Sequence, residues 1–163
     1  MKNRTRTIAR PLAVVALGLV APLLVTVPSE ATTTDSGCTV SPSRPVYSGK
    51  DNKNNIPLID YKIEMTCDPG LILHLEQERW EQDLVSREGE GQDDLTGTFA
   101  REFSFPNGGT RRIKVRTPLP NTGPANEGAV EEVYQAVRFQ VENHPVTSAF
   151  TLWDLTQVRS IHR

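Results

Sequence analysis

The sequence holds little from which an active site could be assembled. It has three histidines and two cysteines in 163 residues. His74, His144 and His162 lie far apart, and no HExxH, G-x-S-x-G or paired-cysteine zinc pattern occurs. Signatures that depend on local spacing are therefore excluded. A triad built from distant residues, or a glycosidase-like carboxylate pair, is not excluded, because geometry defines both. Aromatic residues are scarce too: two Trp, three Tyr and five Phe. With so few, Trp80 and Trp153 are expected in the core, the alternative being a stacking platform for a sugar or protein ligand. Beyond Val27 no apolar run is long enough to cross a bilayer.

What is present begins with a targeting pattern. Lys2, Arg4, Arg6 and Arg10 precede the apolar run Leu12 to Val27, and Ser29-Glu30-Ala31 supplies small residues at the −3 and −1 positions. This reads as a signal peptide, residues 1–31, cleaved after Ala31. A retained anchor is the rival, but the run is about sixteen residues and Pro22 interrupts it. The expected product, residues 32–163, is a single secreted domain. It carries 14 basic and 19 acidic residues, a balance of −5. That sign argues against nucleic acid as a partner. Cys38 and Cys67 are expected to form a disulfide, as an even count in a secreted chain implies. A lipid-modified Cys38 is disfavoured, because Asp35 stands where a lipobox needs a branched apolar residue.

The mature part shows short apolar-polar alternations between Pro, Gly and Asn clusters. This predicts an all-β, immunoglobulin-like two-sheet sandwich of about seven strands. The order Cys, Trp, Cys of a standard immunoglobulin domain is absent, since Trp80 follows both cysteines. A first, edge-like strand is expected over Cys38–Tyr47, then a turn-rich loop over Ser48–Pro57. Leu58–Cys67 places Ile59, Tyr61, Ile63 and Met65 on one buried face. Antiparallel pairing of these two strands sets Cys38 opposite Cys67. Leu71, Leu73 and Leu75 share a face, whereas Trp80 breaks the parity. A bulge or bend near Glu76 to Arg79 would explain that, and a short helix is the alternative.

Phe99, Phe103 and Phe105, the turn Pro106–Gly109, and Ile113 with Val115 predict a hairpin. Phe103 is expected opposite Ile113, with Glu102 opposite Lys114 and Ser104 opposite Arg112. Pro118–Glu132 reads as a long loop. Val133–Glu142 reads as a strand, although a helix also fits its spacing, and Val146–Leu155 as the last main strand, with the tail a candidate continuation of it.

The segments "GCTV", "IEMTC", "EQERWEQD", "EEVYQAVRF" and "VRSIHR" resemble those of a group of small, uncharacterised secreted proteins of actinobacteria. The resemblance covers most of the mature chain and implies no activity or site residue.

Three features invite a functional reading. Leu119, Pro120, Asn121, Thr122 and Gly123 spell LPxTG, the pattern a sortase cleaves. The 40 residues after Gly123 are amphipathic and charged, where a wall anchor needs a hydrophobic segment and a basic tail. The pentapeptide is therefore expected to be an exposed loop and a possible partner contact. Arg112, Lys114 and Arg116, beside Arg111, form a possible stripe for an anionic partner. The competing reading pairs them with Glu102 and with acids of a neighbouring strand. Eight acids between Glu76 and Asp94 suggest calcium chemistry, but their spacing fits no known loop, and a solvated segment is favoured.

Together these features lead us to expect an extracellular, monomeric binding module without catalysis, cofactor or metal. Its partner would be a protein or a cell-envelope component, with no contact to nucleic acid, nor to a membrane after signal cleavage. A small secreted hydrolase is the alternative, and a protease inhibitor using the 118–132 loop a further one.

Overall fold

A computed structural model describes residues 31–82, 93–119 and 130–162. The expected signal peptide, apart from Ala31, lies outside them. The strands are β1 (Thr33–Asp35), β2 (Cys38–Pro42), β3 (Val46–Lys50), β4 (Pro57–Cys67), β5 (Leu71–Gln82), β6 (Asp94–Phe105), β7 (Gly109–Pro118), β8 (Val130–Asn143), β9 (Val146–Thr147), β10 (Asp154–Leu155) and β11 (Arg159–His162). They form two sheets. The first holds β1, β2, β3, β4 and β7, with β4 between β7 and the others. The second holds β6, β5 and β8, with β9, β10 and β11 along the far edge of β8. The all-β sandwich expected from the alternations is thus the fold, with five long strands, β4 to β8, the five-residue β2 and β3, and four shorter ones among the described residues.

Period-two alternation explains the central strands. On β4, Ile59, Tyr61, Ile63 and Met65 are buried, and on β8 so are Val133, Val137, Phe139 and Val141. Cys38 stands opposite Cys67 in the β2–β4 ladder, and the two are disulfide-bonded. One apolar cluster surrounds this bond, with Val40, Met65, Leu71, Leu73, Leu75, Phe103 and Phe105 among its members. A second cluster, of Ile59, Tyr61, Leu119, Val133 and Ile161, fills another part of the interior.

Several expectations need correction. The predicted hairpin is an arch: β6 pairs with β5, and β7 with β4. Phe103 and Phe105 must face Ile113 across the core, so their strands belong to opposite sheets. The arch rests on the turn before β5, where Gly70 N–H donates to Phe105 O at 2.8 Å. Gly108 (φ 67°) sits so close that a Cβ would lie 3.0 Å from the Pro69 backbone nitrogen. The expected first strand is split into β2 and β3, with Pro45 among the unpaired residues between them. The expected last strand is also interrupted. Phe139 N–H and Val141 N–H donate to the hydroxyls of Thr151 and Ser148, so side chains replace part of the ladder. The tail returns to pair with β8 as β11.

On β5 the inward face never changes; its chemistry does. After Leu71, Leu73 and Leu75, the same buried face carries Gln77, Arg79 and Glu81. Trp80 therefore points outward in regular alternation, without a bend in β5. The register shift lies in its neighbour β6, where Arg79 opposes Gly97 and Trp80 opposes Leu95. Gly97 makes room for the guanidinium there: a Cβ would lie 2.2 Å from Arg79 Nη2 and oblige that side chain to move.

Candidate binding faces

Both sheets present an outer face, and the two differ in chemistry. The outer face of the β6–β5–β8 sheet is aromatic and acidic. Trp80 and Tyr134 are cross-strand neighbours whose rings stack at 6.4 Å with an 8° tilt. Trp80 Nε1 donates to Glu78, and the Tyr134 hydroxyl donates to Asp93 at 2.6 Å. Burial, together with the Asp93 contact, pushes the Tyr134 phenol above its ordinary range. One residue pair further along, Leu155 lies opposite Ala136. Beyond it Arg138 is ion-paired with Glu76 at 2.7 Å and lies 4.7 Å from the Phe150 ring and 4.5 Å from the Trp153 ring. Leu95, Leu155 and Phe150 are exposed around this row, and Leu152 is 89% exposed.

Neither tryptophan is in the core, against the expectation from their scarcity. Both are half-buried, because the interior positions of β5 beside Trp80 are taken by Gln77, Arg79 and Glu81. The sequence signal for this was available. Continuing the parity of Leu71, Leu73 and Leu75 through the strand puts Trp80 outside.

On the same face His74 Nε2 lies 3.1 Å from Glu142 Oε2, and His144 Nε2 lies 3.0 Å from Glu142 Oε1. Two histidines far apart in sequence thus share one carboxylate. Among the described residues no group of three or more His, Cys, Asp or Glu is arranged to hold a metal ion. Of the acidic segment, Glu76 and Glu78 lie on the outer face and Glu81 is buried; Asp83, Glu88 and Glu90 fall outside the described residues.

The outer face of the other sheet carries cations and hydroxyls. Arg112, Lys114 and Arg116 do share one face of β7, and their cross-strand neighbours are Glu64, Lys62 and Asp60. The expected partner Glu102 is instead opposite His74. Arg112 Nε meets Glu64 at 2.5 Å, and Arg116 grips both oxygens of Asp60, at 2.6 and 3.0 Å. Lys114 Nζ is 3.6 Å from the same carboxylate. The Arg116 guanidinium holds the Asp60 carboxyl down, at about 2, against the opposing effect of burial. Thr39, Thr66 and Thr110 continue this face, Thr66 and Thr110 bonding through their hydroxyls at 2.8 Å.

The LPxTG pentapeptide is divided. Leu119 is buried at 5% exposure among Ile59, Tyr61, Val133 and Ile161, and its N–H donates to Pro57 O at 2.7 Å. It is a core residue, contrary to the exposed loop expected of it. Pro120, Asn121, Thr122 and Gly123 lie outside the described residues. Pro118 ends β7, and Val130, Glu131 and Glu132 open β8, so the expected 118–132 loop is shorter at both ends. Downstream of the motif comes β8, which pairs with β5 along eleven residue pairs and is an interior strand of its sheet.

No protein-family model and no curated protein matches the chain. Among solved structures it is similar to Spo0M, a sporulation control protein from Bacillus subtilis. The TM-score is 0.41 and the identity 9%, over 78% of this chain and 49% of that one. The chain thus spans about half the length of that protein. The Cys38–Cys67 disulfide is compatible with an extracellular location.

Proposed function

We infer that the chain is a secreted binding module without catalytic activity, and that it engages an extracellular protein or a cell-envelope component through the outer face of the β6–β5–β8 sheet. One observation carries this reading. Trp80, Tyr134, Leu155, Trp153 and Phe150 follow one another across that face, with the Arg138 guanidinium 4.5 Å from the Trp153 ring and 4.7 Å from the Phe150 ring. Trp, Tyr and Arg are the side chains in which binding energy concentrates. Around the half-buried Trp80 and Trp153 and the buried Tyr134, the side chains of Leu95, Phe150, Leu152 and Leu155 leave apolar surface in water, and such a patch marks an interaction site.

The reading is tested by immobilising residues 32–163 and passing native culture medium and washed cell envelopes over them. A partner should be retained by the parent protein and lost about tenfold or more by Leu152→Glu combined with Leu155→Glu. Both leucines are exposed, so the variant keeps its core. Equal retention by parent and variant, with unchanged circular dichroism, would contradict the proposal.

A further inference from the structure

The two outer faces carry opposite charge. Among the described residues of the β6–β5–β8 face, Glu76, Glu78, Glu102, Glu132 and Glu142 outnumber the guanidinium of Arg138. Across the sandwich, β4 and β7 present four cations, Lys62, Arg112, Lys114 and Arg116, against two anions, Asp60 and Glu64, a local balance of +2. This positive face belongs to a chain whose expected mature charge is −5.

The arrangement within the positive face matters more than the total. Glu64 is engaged by Arg112 and Asp60 is gripped on both oxygens by Arg116. What remains is Lys62 directly opposite Lys114 in the ladder, with only the longer 3.6 Å contact from Lys114 to Asp60. Like charges directly opposite each other destabilise a sheet. A groove of about 300 Å³ lies at this point, lined by Ser43, Lys62, Glu64, Arg112 and Lys114 together with Ile63 and Ile113. This pair, relieved only by the Lys114–Asp60 contact, therefore borders a concave, solvent-open space with further cations on either side. Same-face residues on β7 repeat every ~7 Å, so Arg112, Lys114 and Arg116 form a ladder that a flexible polymer of repeating anions can follow.

We propose that this groove binds a phosphodiester-linked polymer of the cell envelope, with one phosphate seated between Lys62 and Lys114. The compact, strongly hydrated ammonium suits a phosphate as a point charge. Arg112 and Arg116, already oriented by their carboxylates, flank it. The hydroxyls of Thr66 and Thr110 extend the polar surface along the strands. Binding relieves the Lys62–Lys114 repulsion, so the same residues that cost the empty fold stability provide affinity. This face lies opposite the aromatic one, and the two can succeed or fail separately.

Soluble poly(glycerol phosphate) is the probe, titrated into residues 32–163 at low and high salt. The parent should bind it, with affinity falling as salt rises. Lys62→Gln combined with Lys114→Gln should weaken binding about tenfold or more and flatten the salt dependence. In the unbound protein, Lys62→Gln alone should raise the low-salt melting temperature by ~1–4 °C, an increase that shrinks at high salt. A purely structural role for the lysines would not combine weaker binding with higher stability. Equal binding by parent and double variant overturns the proposal. Equal or tighter binding to polyglutamate, or to phosphatidylglycerol vesicles, also overturns it, by assigning the face to another anion source. The Leu152→Glu, Leu155→Glu variant should bind the probe as the parent does.

Discussion

Gln77 and Gln135 bond side chain to side chain inside the sandwich, Gln77 Nε2 donating to Gln135 Oε1 at 2.6 Å. Gln135 Nε2 then crosses to the opposite sheet and donates to Ser43 O at 2.6 Å and Lys62 O at 3.1 Å. Both glutamines are at most 1% exposed. The two sheets are thus joined by a buried polar link beside the apolar clusters. An unmade hydrogen bond in such a place costs ~1–3 kcal/mol. Gln135→Leu leaves the Gln77 amide and two backbone carbonyls without this partner. It should lower unfolding stability by ~2–4 kcal/mol in urea titration, and Gln77→Leu made on top of it should cost less than Gln77→Leu alone.

Arg79 brings a poorly paired charge into this interior. It is 8% exposed, and among the described residues its Nη atoms reach Gln77 Oε1 and the Thr98 carbonyl while its Nε has no hydrogen-bond partner. No carboxylate among the described residues forms an ion pair with it. Burial accordingly lowers the guanidinium's pKa. The nearby Tyr61 phenol, also buried, is pushed up to about 12. Replacing a poorly paired buried charge by an apolar side chain of similar length is often neutral or stabilising. Arg79→Met should therefore leave the melting temperature unchanged or raise it. Gly97→Ala collides with the Arg79 guanidinium and should cost ~1–3 kcal/mol in the parent but much less in the Arg79→Met background.

Asp60 makes stability depend on acid. Its folded pKa, about 2, lies below the ordinary 3.8. A depressed carboxyl contributes stability that is present above the ordinary value and lost as pH falls from about 4 through about 2. Denaturation midpoints measured down this range should fall more steeply for the parent than for Asp60→Asn. Parallel curves would show that the Arg116 grip does not persist in solution.

The disulfide should be worth ~3–4 kcal/mol in the chain-entropy model, since it closes a loop with a sequence separation of 29. Cys38→Ser with Cys67→Ser should lose about that much in denaturant titration, with the β spectrum retained if the apolar clusters suffice to hold the two sheets together.

Much of this architecture was readable from residue order. Alternation on β4, and the two cysteines set opposite each other, follow from period two alone, whereas β8 fits helical spacing as well and is decided by its valines, Tyr134 and Phe139. The β6–β7 arch was not readable. Phe103, Phe105, Ile113 and Val115 alternate identically whether their strands pair or face each other across a core, and only the position of β5 decides. The binding faces were half legible. Arg112, Lys114 and Arg116 were visible as a stripe, but Lys62 and Asp60 join it only through the β4–β7 register. The aromatic row was hidden by the rule that scarce tryptophans belong in the core. On β5 the polar residues Gln77, Arg79 and Glu81 hold the inside, and Trp80 is left outside.

The central claim is that the aromatic face of the β6–β5–β8 sheet is where a partner docks. Backbone amide shift mapping of residues 32–163, with and without the partner retained on the immobilised domain, tests it most directly. The account predicts shifts concentrated at Glu76, Glu78, Trp80, Tyr134, Arg138 and Phe150–Leu155. Shifts confined to other surfaces, with these amides unmoved, would contradict it.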